Sequence, residues 1–335
     1  VLAVLFVVLV ALVVSVGLIV LLMPMLRRHA LAHPNARSSH KVPTPQGGGI
    51  AVVGSTIAVS VISAIGFPQF GSGLIGELVP VLAATAVVAI VGTLDDLHSI
   101  SVAPRLAAQS CAAVLAIALL PPDMRLAPVL PLWSERLFLI LGLVWFVNLF
   151  NFMDGIDWMT VAEAAPITAA LAMVGTWGVL PPAATLLALA LFGALLGFAP
   201  FNRPVARLFL GDVGSLPIGL MIGWLLVVLA TSGHVAAAVL LPLYYLADAT
   251  VTLVRRLAAG ERVWEAHRTH FYQQATDRGR PVLEVVGKVF IVNIVLASLA
   301  LFSVLVASPA IDAAALVIGA GFVIGLLFHF AGAKR

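Results

Sequence analysis

From Val1 to Met25 the chain carries no charged side chain, and apolar runs of similar length recur along it almost to its end. A run of about 20 apolar residues is what a helix needs to cross a bilayer. Inside lipid the backbone must satisfy its own hydrogen bonds, so repeated runs of this length specify a bundle of spanning helices rather than a barrel. Composition agrees: 62% of the residues are hydrophobic and 10% charged, more apolar surface than a soluble domain of 335 residues can hide. The expected fold class is all-α, a polytopic membrane helical bundle with about 11 transmembrane helices.

Spans are expected near residues 1–25, 48–67, 77–94, 105–121, 135–151, 161–178, 182–199, 213–231, 235–254, 284–306 and 310–330. The first run has neither a basic leading region nor a small-residue cleavage site, so it reads as a span and not as a removed signal peptide. Val1 at the first position suggests a missing starting Met. Arg27, Arg28, Arg37 and Lys41 follow the first span and mark that loop as cytoplasmic. Alternating sides from there leaves only Arg125 and Arg136 of the Lys and Arg residues outside, which puts the N-terminus out and the C-terminus in. The net charge of +3 therefore reflects membrane orientation and does not imply nucleic acid. The single cysteine, Cys111, falls in the fourth span; it cannot form an intramolecular disulfide and is expected to be inert packing. No Cys/His cluster has zinc spacing and no GxxxxGK[ST] loop is present. The outer loops are short, so residues 1–335 read as a single integral membrane domain.

Five polar segments remain, all on the expected cytoplasmic side: roughly 26–49, 95–105, 151–160, 200–212 and 255–283. In the first, Gly47, Gly48 and Gly49 stand where the chain re-enters the membrane. By themselves they read as a flexible turn with small-residue helix packing, although glycines also let a backbone approach an anion closely. In the second, Asp95 and Asp96 end a span, where acids oppose the helix dipole; that penalty suggests a use as a base or a cation holder. In the third, "NLFNFMDGIDWMT", Asn148, Asn151, Asp154 and Asp157 recur every three residues and form a drifting stripe if the helix continues for two more turns. Such oxygen donors suit Mg²⁺. In the fourth, Asp212 or Ser215 serves either as a helix N-cap or, for Asp212, as a metal ligand. In the fifth, "HRTHFYQQ" packs His267, Arg268 and His270 together, a group suited to a diphosphate. Asp248, within the ninth span, is expected to have an interhelical partner. Acids, amides and basic groups converging on one membrane face point to an enzyme joining a soluble phosphorylated substrate to a lipid one.

In their order the five segments resemble the polyprenyl-phosphate N-acetylhexosamine-1-phosphate transferase family, over about residues 20 to 305. The family pattern PNxRxxHxxPxPxGG is met by Pro34, Asn35, Arg37, His40, Pro43, Pro45, Gly47 and Gly48. Its DD motif is met by Asp95 and Asp96, with Arg105 where members carry Lys or Arg. NxxNxxDGxDG is met by Asn148, Asn151, Asp154, Gly155 and Asp157, with Trp158 replacing the last glycine. FxGDxGS is met by Phe209, Gly211, Asp212, Gly214 and Ser215; the late His motif by His267 and Arg268, with Glu265 where a further His is usual.

The resemblance implies transfer of a HexNAc-1-phosphate from a UDP-sugar (UDP-HexNAc) to polyprenyl phosphate, releasing UMP, in the bacterial inner membrane with a cytoplasmic active site, as in initiation of an O-antigen or related lipid-linked glycan. It implies Mg²⁺, or Mn²⁺ in its place, held by Asp212 and Asn151. Asp95, Asp96 and Asp154 are the catalytic candidates. His267, Arg268 and Arg105 would bind the diphosphate, and Asp157 and Phe209 the nucleotide. Asn35, Arg37, His40, Gly47 and Gly48 form the loop motif. A homodimer is left open. The rival readings are a cation-coupled transporter and the MurNAc-pentapeptide translocase branch of the same family, which usually carries a triple-His motif that "HRTHFYQQ" lacks.

Overall fold

The computed structural model describes residues 2–32, 42–66, 73–262 and 267–332. Its helices are α1 (Leu2–His29), α2 (Gly48–Gly66), α3 (Leu74–His98), α4 (Val102–Ala118), α5 (Leu132–Met153), α6 (Met159–Thr176), α7 (Pro182–Phe198), α8 (Asp212–Thr231), α9 (Val235–Leu240), α10 (Leu243–Ala258), α11 (Phe271–Asp277), α12 (Val282–Val306) and α13 (Pro309–Ala331). The strands β1 (Leu31–Ala32) and β2 (Thr44–Pro45) pair antiparallel, Leu31 opposite Pro45. Among the described residues eight helices are long and apolar enough to cross a membrane, and α4 and α7 are shorter apolar helices.

The ninth expected span is not one helix. It breaks at Leu241–Pro242 into α9 and α10, because Pro242 has no amide to continue the ladder. A freed amide at membrane depth needs a partner. Glu163 of α6, fully buried, accepts the Tyr245 amide in the first turn of α10, and Asn293 of α12 donates to Glu163 Oε2 at 2.6 Å.

The centre is α8, nearly all of which is buried among other helices, whereas α1 and α13 bury only a few residues each. Lipid rather than protein must cover Leu9 and Leu21 on α1 and Val317 and Phe328 on α13, all exposed. Glycine lets the inner helices touch. A Cβ at Gly219 or Gly223 of α8 would collide with Phe150 or Leu143 of α5, and one at Gly193 or Gly197 of α7 with the α1 backbone. Cys111 differs from expectation: it lies exposed on the outer face of α4 rather than packed inside.

The C-termini of α1, α3, α5, α7, α10 and α13 share one end of the bundle with the N-termini of α2, α4, α6, α8 and α12. Arg278 fixes α13 there by donating to the Phe330 and Ala331 carbonyls, 2.8 Å each, which otherwise lack partners at the helix end. At the opposite end Arg125 pairs with Glu135 (2.6 Å) and Arg136 donates to Pro121 O (2.7 Å), tying the α4–α5 connection.

Candidate active site

The described parts of all five polar segments meet at the end of the bundle that holds the α8 N-terminus. The glycines of the first segment are the small-residue packing points that the sequence suggests. Gly48 and Gly49 donate to the Phe209 and Leu210 carbonyls, 2.9 Å each, and Phe209 N donates to Pro45 O at 2.8 Å. A Cβ at Gly49 would overlap the Gly214 backbone. Gly47 has φ +107°, a conformation that side chains disfavour. Asn35, Arg37 and His40 lie outside the described residues.

Asp96 caps α8 from a different helix. Its Oδ1 accepts from Asp212 N at 3.0 Å and its Oδ2 from Val213 N at 3.1 Å. The N-cap position itself is Gly211, with φ +78°, and the cap is neither Asp212 nor Ser215. As the first helical residue, Asp212 turns its carboxyl away, to within 3.7 Å of Arg105. Asp95 accepts from Arg105 Nη1 at 2.6 Å and from Ile100 N at 2.6 Å, and its carboxyl adjoins that of Asp212. Gly92 and Gly211 permit this packing: a Cβ on either would meet Asp212 or Asp96.

The third segment forms no continuous stripe. The helix stops at Met153, Asp154 is its C-cap, and α6 begins only at Met159. The four polar residues face four different elements. Asn148 donates to Gln109 of α4 at 2.7 Å, and Asn151 accepts from Ser215 of α8 at 2.7 Å. Asp154 accepts from Thr160 of α6 at 2.5 Å, and Asp157 from Ala206 N in the α7–α8 connection at 3.0 Å. Burial, reinforced by the charges of Asp96 and Asp157, pushes Asp154 up to about 6, against the lowering effect of the Thr160 bond. Gly155 is needed for space, since a Cβ there would strike Tyr272 and Gln273. Trp158 adopts φ +63°, which explains the usual glycine at this place. Its amide donates to Asn202 Oδ1 at 2.8 Å and its indole to Ala199 O at 2.6 Å.

The fifth segment is anchored by Asp248, which is fully buried and accepts from Phe271 N (3.0 Å), Tyr272 N (3.3 Å) and Tyr244 Oη (3.1 Å). Its Oδ1 also lies 3.1 Å from His270 Nδ1, which fixes that nitrogen as the protonated one. Tyr272 in turn donates to Phe152 O at 3.3 Å, joining the fifth segment to the third. His267 stacks near His270, 4.8 Å between ring centroids, and burial with the neighbouring His270 and Arg256 lowers its pKa to about 4. Arg268 pairs with Asp277 at 2.7 Å.

Three contributors escaped sequence reasoning. Asn202, buried, bridges Trp158 and Leu208 O, although it opens the fourth polar segment. Thr160 closes the third polar segment with no role assigned to it, and Gln109 had no signal beyond a polar side chain within an apolar run. Among the described residues no three His, Cys, Asp or Glu side chains gather as a ready metal set. The oxygen donors present are the adjoining Asp95 and Asp212 carboxyls and the Asn151 amide.

The profile of glycosyl transferase family 4 matches residues 78–230, which holds the second, third and fourth segments. The chain is similar to the decaprenyl-phosphate N-acetylglucosaminephosphotransferases of Mycobacterium leprae, 27% identical over 79% of this chain and 74% of that protein, and of Mycobacterium tuberculosis, 29% identical over 78% and 72%. A shorter stretch, 26% of this chain and 27% of the relative, is 39% identical to the phospho-N-acetylmuramoyl-pentapeptide-transferase of Limosilactobacillus fermentum. Ordered motifs, helical membrane fold and relatives agree: the chain is similar to the polyprenyl-phosphate N-acetylhexosamine-1-phosphate transferases of glycosyl transferase family 4.

Proposed function

We propose that the enzyme transfers a HexNAc-1-phosphate from a UDP-sugar to polyprenyl phosphate, releasing UMP, at the cytoplasmic face of a bacterial inner membrane. The observation that carries this reading is the pair of adjoining carboxyls, Asp95 and Asp212, beside Arg105 at the meeting point of the polar segments. Such a pair needs a proton or a cation between its members, and oxygen donors fit Mg²⁺ or Mn²⁺. Asp212 and Asn151 would hold the ion, with phosphate oxygens and water as the remaining ligands. When bound it supplies charge neutralisation at the diphosphate and polarises the phosphorus under attack.

The chain's own groups divide the rest. Asp96 holds the α8 N-terminus so that Asp212 faces the site. Asp95 holds Arg105, whose guanidinium is thereby aimed at a bound diphosphate. His267, neutral at pH 7, and Arg268 reach the same diphosphate from the loop before α11. Asp157 and Phe209 contact the uracil. A phosphate monoester has its second pKa near about 6, so the lipid phosphate is largely dianionic at neutral pH. Asp95 and Asp154 then need only keep it so as its oxygen forms the new bond to the β-phosphorus and UMP departs.

The donor is UDP-GlcNAc, UDP-GalNAc or a deoxy-HexNAc nucleotide of the kind that starts an O-antigen. UMP release measured over a panel of UDP-sugars, UDP-MurNAc-pentapeptide included, with undecaprenyl phosphate tests the reading. Mg²⁺-dependent release with at least one HexNAc donor is expected. No release with any donor would favour transport.

A further inference from the structure

A second basic site lies on the membrane flank of the molecule. The close α1–α7 packing at Gly193 and Gly197 sets the last turn of α1 beside the loop that follows α7. There Arg27, Arg28 and Arg207 line a concavity of about 470 Å³ whose other walls are Val20, Met23, Pro24 and Phe201. The three arginines are exposed, and among the described residues none of them pairs with a carboxylate, unlike Arg105, Arg125, Arg256, Arg268 and Arg280. Arg207 is held in place: it sits over the Phe201 ring, 5.7 Å to the centroid, and donates to Pro200 O at 3.3 Å. Positive charge at a helix end satisfies orientation alone. It does not require an arginine from a connection far along the chain to close on the same hollow, with no acid among its walls.

We propose that this hollow binds a phosphate group carried by an anionic phospholipid. The guanidinium groups would take the phosphate oxygens in their planar forks. The acyl chain would lie along Val20, Met23 and Pro24, the lipid-facing side of α1. Basic pockets between helices at this depth are suited to such headgroups. None of Asp95, Asp96 and Asp212 lines this hollow, although Arg27 and Arg207 also edge the neighbouring concavity that holds Asp157; the proposal does not depend on the transfer reaction.

Native mass spectrometry of the full chain tests it, after delipidation and addition of phosphatidylglycerol or phosphatidylcholine. The wild type should hold one more phosphatidylglycerol than the Arg27→Gln/Arg28→Gln/Arg207→Gln variant, whose retention should fall roughly tenfold or more. Phosphatidylcholine should be held equally weakly by both. Melting in the same detergent checks the fold. Arg207→Lys, which keeps the charge but loses the stacked fork, should retain an intermediate amount and serves if the triple variant does not fold. Excess glycerol phosphate should fail to displace the lipid; displacement would keep the phosphate cradle but make its occupant soluble. Equal retention of the two phospholipids by the wild type, or undiminished phosphatidylglycerol on the variants, would overturn the proposal.

Discussion

Asp96 Oδ1 accepts the backbone amide of Asp212 across a gap of more than a hundred residues, and its Oδ2 takes the next amide, from Val213. One acid of the DD pair thus positions the acid proposed to hold the metal. Asp96→Ala should lose a helix cap, about 1 kcal/mol, and with it the aim of Asp212. Asp96→Asn keeps one acceptor oxygen and should melt closer to the wild type. Thermal melting in detergent, read beside turnover, separates this from Asp212→Asn, which is expected to lose activity with little loss of stability.

Trp158 is held at φ +63°, where glycine would relieve about 1–2 kcal/mol of strain. Its indole bonds to Ala199 O and lines an apolar groove of about 470 Å³ with Ala165, Phe192 and Phe290. Losing a large, half-buried ring costs more than the strain returns, since full truncation of a buried aromatic costs about 3–5 kcal/mol. Trp158→Gly should therefore melt lower while its UDP-sugar affinity, measured by calorimetry, stays within a few-fold. A large affinity change would put the ring in the nucleotide pocket.

Asp154 and His267 contribute opposite slopes to the pH dependence of the metal-free protein, and Asp96, which burial also raises to about 6, adds to the first. Asp154, raised to about 6, binds its proton more tightly folded than unfolded. Its contribution is therefore full at low pH and lost as pH rises through 6. His267, lowered to about 4, acts oppositely for its own proton: stability is lost as pH falls below about 6.5. Melting curves should show the first slope become shallower in Asp154→Asn, with Asp96 supplying the remainder, and the second become shallower in His267→Asn. Unchanged slopes in these variants would reassign both titrations.

Asp248 serves His270, Phe271 and Tyr272 at once. Asp248→Ala orphans these buried donors, each worth about 1–3 kcal/mol, and should unfold or free the segment that carries His267. Hydrogen exchange over residues 267–277 should accelerate first, and KM for the UDP-sugar should rise more than kcat falls in Asp248→Asn.

Much of this was legible in the chain. The apolar runs gave the helices, and the polar segments do meet at one end. What stayed hidden depends on partners distant in sequence. Nothing near Asp96 announces that its oxygens belong to the α8 amides, and nothing near Asn202 announces the amide of Trp158. Pro242 did carry a signal for the break between α9 and α10, but an unbroken apolar run masked it. Cys111 shows a different limit: in lipid an apolar side chain suits the inside and the outside of a bundle equally, so burial cannot be read from hydrophobicity. The stripe through Asn148, Asn151, Asp154 and Asp157 failed because the helix ends at Met153, where the chain turns to let α11 approach Gly155.

The most direct test follows labelled sugar phosphate from UDP-HexNAc into polyprenyl phosphate, comparing the wild type with Asp212→Asn in the same detergent. The expected result is Mg²⁺-dependent lipid product and UMP from the wild type, and none from an Asp212→Asn protein that melts normally. Near-normal turnover by folded Asp212→Asn would remove Asp212 from the metal site and contradict the account.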